Sequence, residues 1–256
     1  MMRAYPQRVT IEGSVFTFES ILKDDFFSVN VLYRNPDGVR YVLKLSDFRF
    51  IFGVLLRPLA VLFSRREYNI YRMVADIEGV PALGTRHGLR GYFHRYVEGK
   101  TLHEVANEGR TLPEDFFEQL RAVLTRLHER RIFYLDLNKS GNIILGDDQK
   151  PYLIDFQISF HIKKRSGLAG RWGDRLFASL IREDVYHLYK HKRYFQPHLM
   201  TPDELALATR TRFNDRLKRY VGEPYRRAKR LMYPHGSNEV IWYKWKKLKD
   251  KSSRMP

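Results

Sequence analysis

Tyr134-Leu135-Asp136-Leu137-Asn138-Lys139-Ser140-Gly141-Asn142-Ile143-Ile144-Leu145, continued by Tyr152-Leu153-Ile154-Asp155-Phe156-Gln157, decides how this chain is read. The stretch puts an aspartate and an asparagine on one polar loop, and a second aspartate just past the next apolar strand. Such side chains can converge on one polyphosphate–metal cluster, because magnesium takes hard oxygen ligands, one or two carboxylates together with phosphate oxygens. A separate carboxylate can accept a hydroxyl proton and orient the nucleophile. Asp and Asn also favour plain turns. The order helix, loop, strand, Asp-Phe weighs against that plainer reading.

Upstream of this stretch lies a long amphipathic helix. Thr111-Leu112-Pro113-Glu114 has the spacing of a capping box, and Phe116, Phe117, Leu120, Val123, Leu124 and Leu127 fall on one helical face. Further back the chain alternates as strands do, in Val15–Phe18, Ser28–Tyr33 and Arg40–Leu45, with Asn35-Pro36-Asp37-Gly38 as the turn of a hairpin. Gly91–Val97 reads as a further strand leading to a connector at Glu98-Gly99. The apolar run Phe50–Phe63, 14 residues long, is too short to span a bilayer and predicts a buried or interfacial helix. Ser64-Arg65-Arg66-Glu67 has capping-box spacing and predicts a helix from there to about Ala75. Downstream of the loop, Asn142–Leu145 and Tyr152–Ile154 bracket the turn Gly146-Asp147-Asp148. Thr201-Pro202-Asp203-Glu204 opens a late helix. Strands first and helices afterwards predict an α+β fold.

Bulk properties narrow the chemistry. The chain of 256 residues contains no cysteine, which excludes disulfides, Cys-ligated zinc and thiol catalysis. Its net charge of +17 is uneven. Residues 1–159 hold 22 Lys and Arg against 20 Asp and Glu, whereas residues 160–256 hold 24 against 9. A field of that sign favours an anionic partner. Near the end, Val240-Ile241-Trp242-Tyr243-Lys244-Trp245-Lys246-Lys247-Leu248-Lys249 interleaves aromatic rings with lysines, as suits an interface carrying anionic lipid. The N-terminal residues show no apolar h-region of a secretory signal.

Taken in order, a strand lysine, a helix glutamate, a loop Asp and Asn, and then Asp-Phe resemble the protein-kinase-like superfamily. On that resemblance Lys44 matches the strand lysine that contacts ATP phosphates, and Glu67, on a helix, its ion-pair partner. Asp136 matches the catalytic-loop aspartate, Asn142 and Asp155 the magnesium ligands, and Asp184 a buried aspartate that braces the catalytic loop. Lys139 is a candidate for contact with the transferring phosphate, and Tyr96–Leu102 resembles the hinge and the start of the next helix. The likeness covers roughly residues 14–190. It departs from the family at several points. No Gly-x-Gly-x-x-Gly occurs, the corresponding turn being Lys23-Asp24-Asp25-Phe26-Phe27-Ser28. Tyr134-Leu135 replaces the usual His-Arg, the Asp-to-Asn spacing is six rather than five, and Asp-Phe-Gln stands for Asp-Phe-Gly. These departures point to the minimal bacterial branch, with lipopolysaccharide core sugar kinases and RIO-type kinases.

The resemblance implies a bilobal fold. An N-terminal antiparallel β lobe with one helix would occupy residues 1–97, and a mainly helical C-terminal lobe with the catalytic loop and basic tail residues 98–256. It implies ATP and magnesium as cofactors, and γ-phosphoryl transfer to a hydroxyl on an anionic acceptor. The first expectation for that acceptor is a sugar of a membrane-associated glycolipid of lipopolysaccharide core type. A RIO-like Ser/Thr protein kinase is the second reading. A non-catalytic pseudokinase that binds membrane or nucleic acid is the third. A cytoplasmic location, peripheral at the inner face of the membrane, goes with the first.

Overall fold

The structure, a computed structural model, describes residues 5–24, 28–46, 57–164 and 166–209. Four strands open the chain: β1 (Arg8–Ile11), β2 (Ser14–Asp24), β3 (Ser28–Arg34) and β4 (Arg40–Ser46). Helix α1 (Arg57–Val74) follows, then β5 (Leu83–His87) and β6 (Gly91–Arg95). These six strands form one antiparallel sheet in the order β1-β2-β3-β4-β6-β5. The Asn35–Gly38 turn closes the hairpin as its sequence predicts, with the Asn35 Oδ1 accepting from the Val39 N–H at 2.7 Å.

Period-two alternation decides which residues line the site. Val29, Val31 and Tyr33 of β3 and Leu43 and Leu45 of β4 share one face and pack with Val9, Ile11, Phe16 and Phe93 into a core of their own. The intervening positions, Val42 and Lys44, therefore look the other way, towards α1. Helix α1 buries Ala60, Ser64, Glu67, Ile70, Tyr71 and Val74, a stripe at helical spacing.

The second half is mainly helical. It comprises β7 (Gly99–Thr101), α2 (Leu102–Asn107), α3 (Phe116–Glu129), β8 (Ile132–Phe133), β9 (Ile143–Gly146), β10 (Pro151–Leu153), β11 (Phe160–His161), α4 (Gly167–Phe195) and α5 (Pro202–Leu207). The six apolar residues expected on one face of α3 are all buried. They join Tyr71, Val74, Leu145, Leu153, Phe156 and Leu188 in a core shared by α1, α3, α4 and the β9–β10 pair. Strand β9 pairs with β10 on one side and β7 on the other. At Gly99 (φ +148°) the backbones of β7 and β9 come so close that a Cβ would lie 2.2 Å from the Leu145 carbonyl oxygen.

The chain is thus α+β, with an antiparallel sheet and several helices. No helix among the described residues is long and apolar enough to cross a membrane.

Two helix starts differ from expectation. Ser64 does not cap a helix, because α1 already runs from Arg57 and Ser64 sits buried mid-helix. The apolar residues from position 57 supply its first turns, and Glu67 is drawn to a lysine rather than back to an N-cap. Residues 50–56 of the apolar run lie outside the described residues, as does the basic-aromatic stretch 240–249. Thr111 does not cap α3 either: Asp115 holds that position without a side-chain cap. The Pro113 carbonyl is used instead by the Gln196 Nε2 at 2.7 Å, which ties this approach to the end of α4. Thr201 and Glu204 do form the capping box of α5. Thr101 and Glu104 form another at α2, legible as Thr-x-x-Glu but passed over in the sequence.

Candidate active site

Lys44 projects from the α1-facing side of β4 and is almost fully buried. An isolated ammonium there would be costly, and such a charge persists only with partners. It has two: Nζ donates to Glu67 Oε1 at 2.6 Å and to Asp155 Oδ1 at 2.7 Å. Burial works against the ammonium, but Asp155 and then Glu67 outweigh it and raise its pKa above the ordinary lysine value. Burial likewise favours the protonated form of Asp155. Lys44, then Lys23 and Lys139, nonetheless hold that carboxyl well below the usual range. Glu67 is pushed up by burial against the pull of Lys44.

Asp155 follows β10 and takes a positive φ of 66°, sparsely populated for a residue with a side chain. Strain of this kind persists where its surroundings over-determine it. Here Lys44 holds the side chain, while Phe156 beside it is buried against Tyr71 and Tyr134. Leu135, on the loop that carries Asp136, also has a positive φ, 65°.

That loop is braced from below by Asp184, a fully buried residue of α4. Its two carboxylate oxygens accept from the backbone N–H groups of Tyr134 (2.8 Å) and Leu135 (2.9 Å). The His128 ring nitrogen Nε2 lies 3.0 Å from Oδ2. Asp184 thus has the bracing geometry that the sequence suggested. The His191 Nε2 at 2.8 Å from the Leu137 carbonyl and the Lys190 ammonium at 3.0 Å from Asn138 Oδ1 add two further ties from α4.

Asp136 lies 7% exposed in this loop. Its Oδ2 accepts from Lys139 Nζ at 2.5 Å and from Asn142 Nδ2 at 2.8 Å. Its pKa is raised, by burial first, with Lys139 opposing. The six positions from Asp136 to Asn142 are spanned by two successive tight turns, Lys139 N–H to Asp136 O (3.1 Å) and Asn142 N–H to Lys139 O (3.0 Å).

The two clusters meet at a cavity of about 640 Å³ whose wall includes Lys44, Lys139, Asn142 and Asp155, with Lys23 at one edge. Glu67 sits behind that wall, bonded to Lys44, whereas Asp136, its side chain 10% exposed, lies beside it, bonded to Lys139 and Asn142. Tyr71, Tyr92 and His94 form an aromatic side of the cavity that sequence reasoning passed over. His94 stacks on Tyr71 with ring centroids 5.9 Å apart, and its enclosure lowers its pKa to about 4, so the ring is neutral at ordinary pH. The aromatic run Tyr92-Phe93-His94 within the expected strand Gly91–Val97 was the available signal. Residues 25–27 of the glycine-free turn lie outside the described residues.

Whether magnesium fits can be judged from the atoms left over. Among the described residues both hydrogen bonds to the Asp155 side chain fall on Oδ1, which leaves Oδ2. Asn142 spends its Nδ2 on Asp136, which leaves its amide oxygen without a hydrogen bond among the described residues. Among the described residues no group of three or more His, Asp and Glu side chains is placed to hold a metal by itself. One carboxylate and one amide oxygen suit a hard cation whose remaining ligands are phosphate oxygens and water. In comparisons with known proteins the chain matches no family model and no curated sequence. The chemistry of the site is accordingly read from its own geometry.

Proposed function

We propose that the chain is an ATP-dependent phosphotransferase, with the sheet and α1 as one lobe and the helical remainder as the other of a protein-kinase-like domain. The observation that carries this reading is the Lys44 ammonium bonded at once to Glu67 and Asp155, in the wall of a cavity that also contains Asn142 and Lys139. In this reading Lys44 and Lys139 bind phosphate oxygens and Glu67 holds Lys44 in place. A magnesium ion, when held by Asn142 and Asp155, would neutralise charge on the phosphates. The acceptor hydroxyl donates its hydrogen bond to Asp136, whose Oδ1 carries no bond among the described residues. A bond forms between the acceptor oxygen and the γ-phosphorus, the bond from that phosphorus to the bridging oxygen breaks, and Asp136 takes the hydroxyl proton. Catalysis of this kind is mostly positioning and charge stabilisation.

For the acceptor we propose a hydroxyl of an anionic, membrane-associated glycolipid. The charge of residues 160–256 supports this, as do Trp172 and Leu176, both exposed on α4 beside the exposed Arg171 and Arg175. The test is incubation with γ-labelled ATP and magnesium, with lipid extract in one arm and protein lysate in the other. Label should enter the lipid arm, and Asp155→Ala should lower transfer per folded molecule by about a thousandfold or more, with the folded fraction measured alongside. Near-normal transfer by Asp155→Ala would refute the site, and label in protein alone would move the acceptor to a Ser/Thr side chain.

A further inference from the structure

Helix α1 is gripped from two sides by consecutive residues. Glu67 reaches the sheet through Lys44. Arg66, about 100° round the helix from it, reaches the chain just past Asp155. Its Nη2 donates to the Ser159 carbonyl at 2.5 Å and its Nη1 to the Gln157 carbonyl at 3.5 Å. The guanidinium also lies 3.9 Å over the Phe160 ring, a distance at which a cation is attracted to the ring face. Phe160 in turn stacks on Phe133 (5.5 Å between centroids), the residue before Tyr134 and the catalytic loop.

The far side of this segment is pinned independently. Strand β11 pairs with β8, the Ser159 hydroxyl donates to the Tyr134 carbonyl at 3.0 Å, and the Arg131 Nε donates to the Ile162 carbonyl at 2.8 Å. The segment is therefore a fixed anchor, and Arg66 joins α1 to it. We propose that Arg66 is a positioning residue: it clamps α1 to the segment after Asp155 and so keeps Glu67 on Lys44. This rests on the phosphotransferase reading.

The clamp predicts a loss carried by kcat rather than by KM for ATP, because it acts on the alignment of groups already present. Arg66→Ala should lower kcat about tenfold, a size typical of residues that act through others. Arg66→Lys, which keeps the stem and charge but loses the forked donor, should fall between the two and serves if the alanine variant folds poorly. Hydrogen exchange in α1 around residues 64–70 should speed up in Arg66→Ala with or without nucleotide, while the independently pinned residues 159–162 change little. In the Glu67→Gln background, Arg66→Ala should cost no more than about twofold further, since both changes break one linkage. Wild-type turnover in Arg66→Ala, or losses that simply multiply with Glu67→Gln, would overturn the clamp alone. A parent chain that neither binds nor turns over ATP would overturn the phosphotransferase reading and the clamp with it, whatever the exchange rates.

Discussion

The Lys44 cluster and the Asp136 cluster share one cavity wall but are built in opposite ways. Lys44, Glu67 and Asp155 come from a strand, a helix and a loop, separated by 23 and 111 positions, and their side chains are 4%, 1% and 16% exposed. Asp136, Lys139 and Asn142 lie within six positions of one another, and the Lys139 side chain is 56% exposed. The first cluster exists only when both halves of the chain are folded together. The second is largely local and faces water at one end. Buried, long-range charge is an all-or-none arrangement, whereas the local cluster can be adjusted one group at a time.

The largest effect should come from breaking the buried cluster. Lys44→Met leaves Glu67 and Asp155 without their cation and should cost about 3–5 kcal/mol of stability, as removal of one partner of a buried pair does. Adding Glu67→Leu should recover part of that loss, because an apolar replacement of both partners leaves less charge stranded. Urea unfolding at neutral pH measures both. In the parent chain, Asp155's share of the stability is present above the ordinary aspartate value of 3.8 and is lost as pH falls towards its depressed folded value.

A smaller effect should follow from the brace that joins the local cluster to α4. Asp184→Ala strands the Tyr134 and Leu135 N–H groups and should destabilise by about 2–4 kcal/mol, at about 1–2 per buried donor. Its Tm should fall, and turnover should fall with it. The smallest effect tests the open end. In the proposed reaction Asp136 must be ionised to accept a proton, and its pKa is raised, so turnover should be present above that folded value and decline as pH falls through it. Lys139 opposes the rise. Lys139→Met should therefore move the acid limb of the kcat/KM profile to higher pH, with little change in stability. An unmoved limb would separate Lys139 from the proton-accepting group.

The same contrast explains what could be read from the residues alone. The hairpin at 28–46, the apolar face of α3 and the Asp136–Asn142 loop follow from alternation, helical spacing and turn chemistry, all properties of short windows. Asp184 was also legible, through its place in a familiar order of residues. The contact of Lys44 with Asp155 was not, because no local pattern encodes a bond across 111 positions. Ser64-Arg65-Arg66-Glu67 misled for a related reason. Its spacing satisfies a capping box, but the tertiary pull of Lys44 on Glu67 and an earlier helix start at Arg57 outweigh a cap worth about 1 kcal/mol. The first strand, Arg8–Ile11, was passed over although Val9 and Ile11 alternate with polar neighbours.

Gly99 carries a last consequence. The hydrogen atom it offers in place of a side chain sets the spacing between β7 and β9, and so the position of Thr101 and Glu104, which form part of the cavity's rim. Any larger group would wedge the two ribbons apart and shift the part of the cavity wall that Thr101 and Glu104 form. One flank of the cavity is thus gauged by the smallest residue in the chain, which itself carries no chemistry.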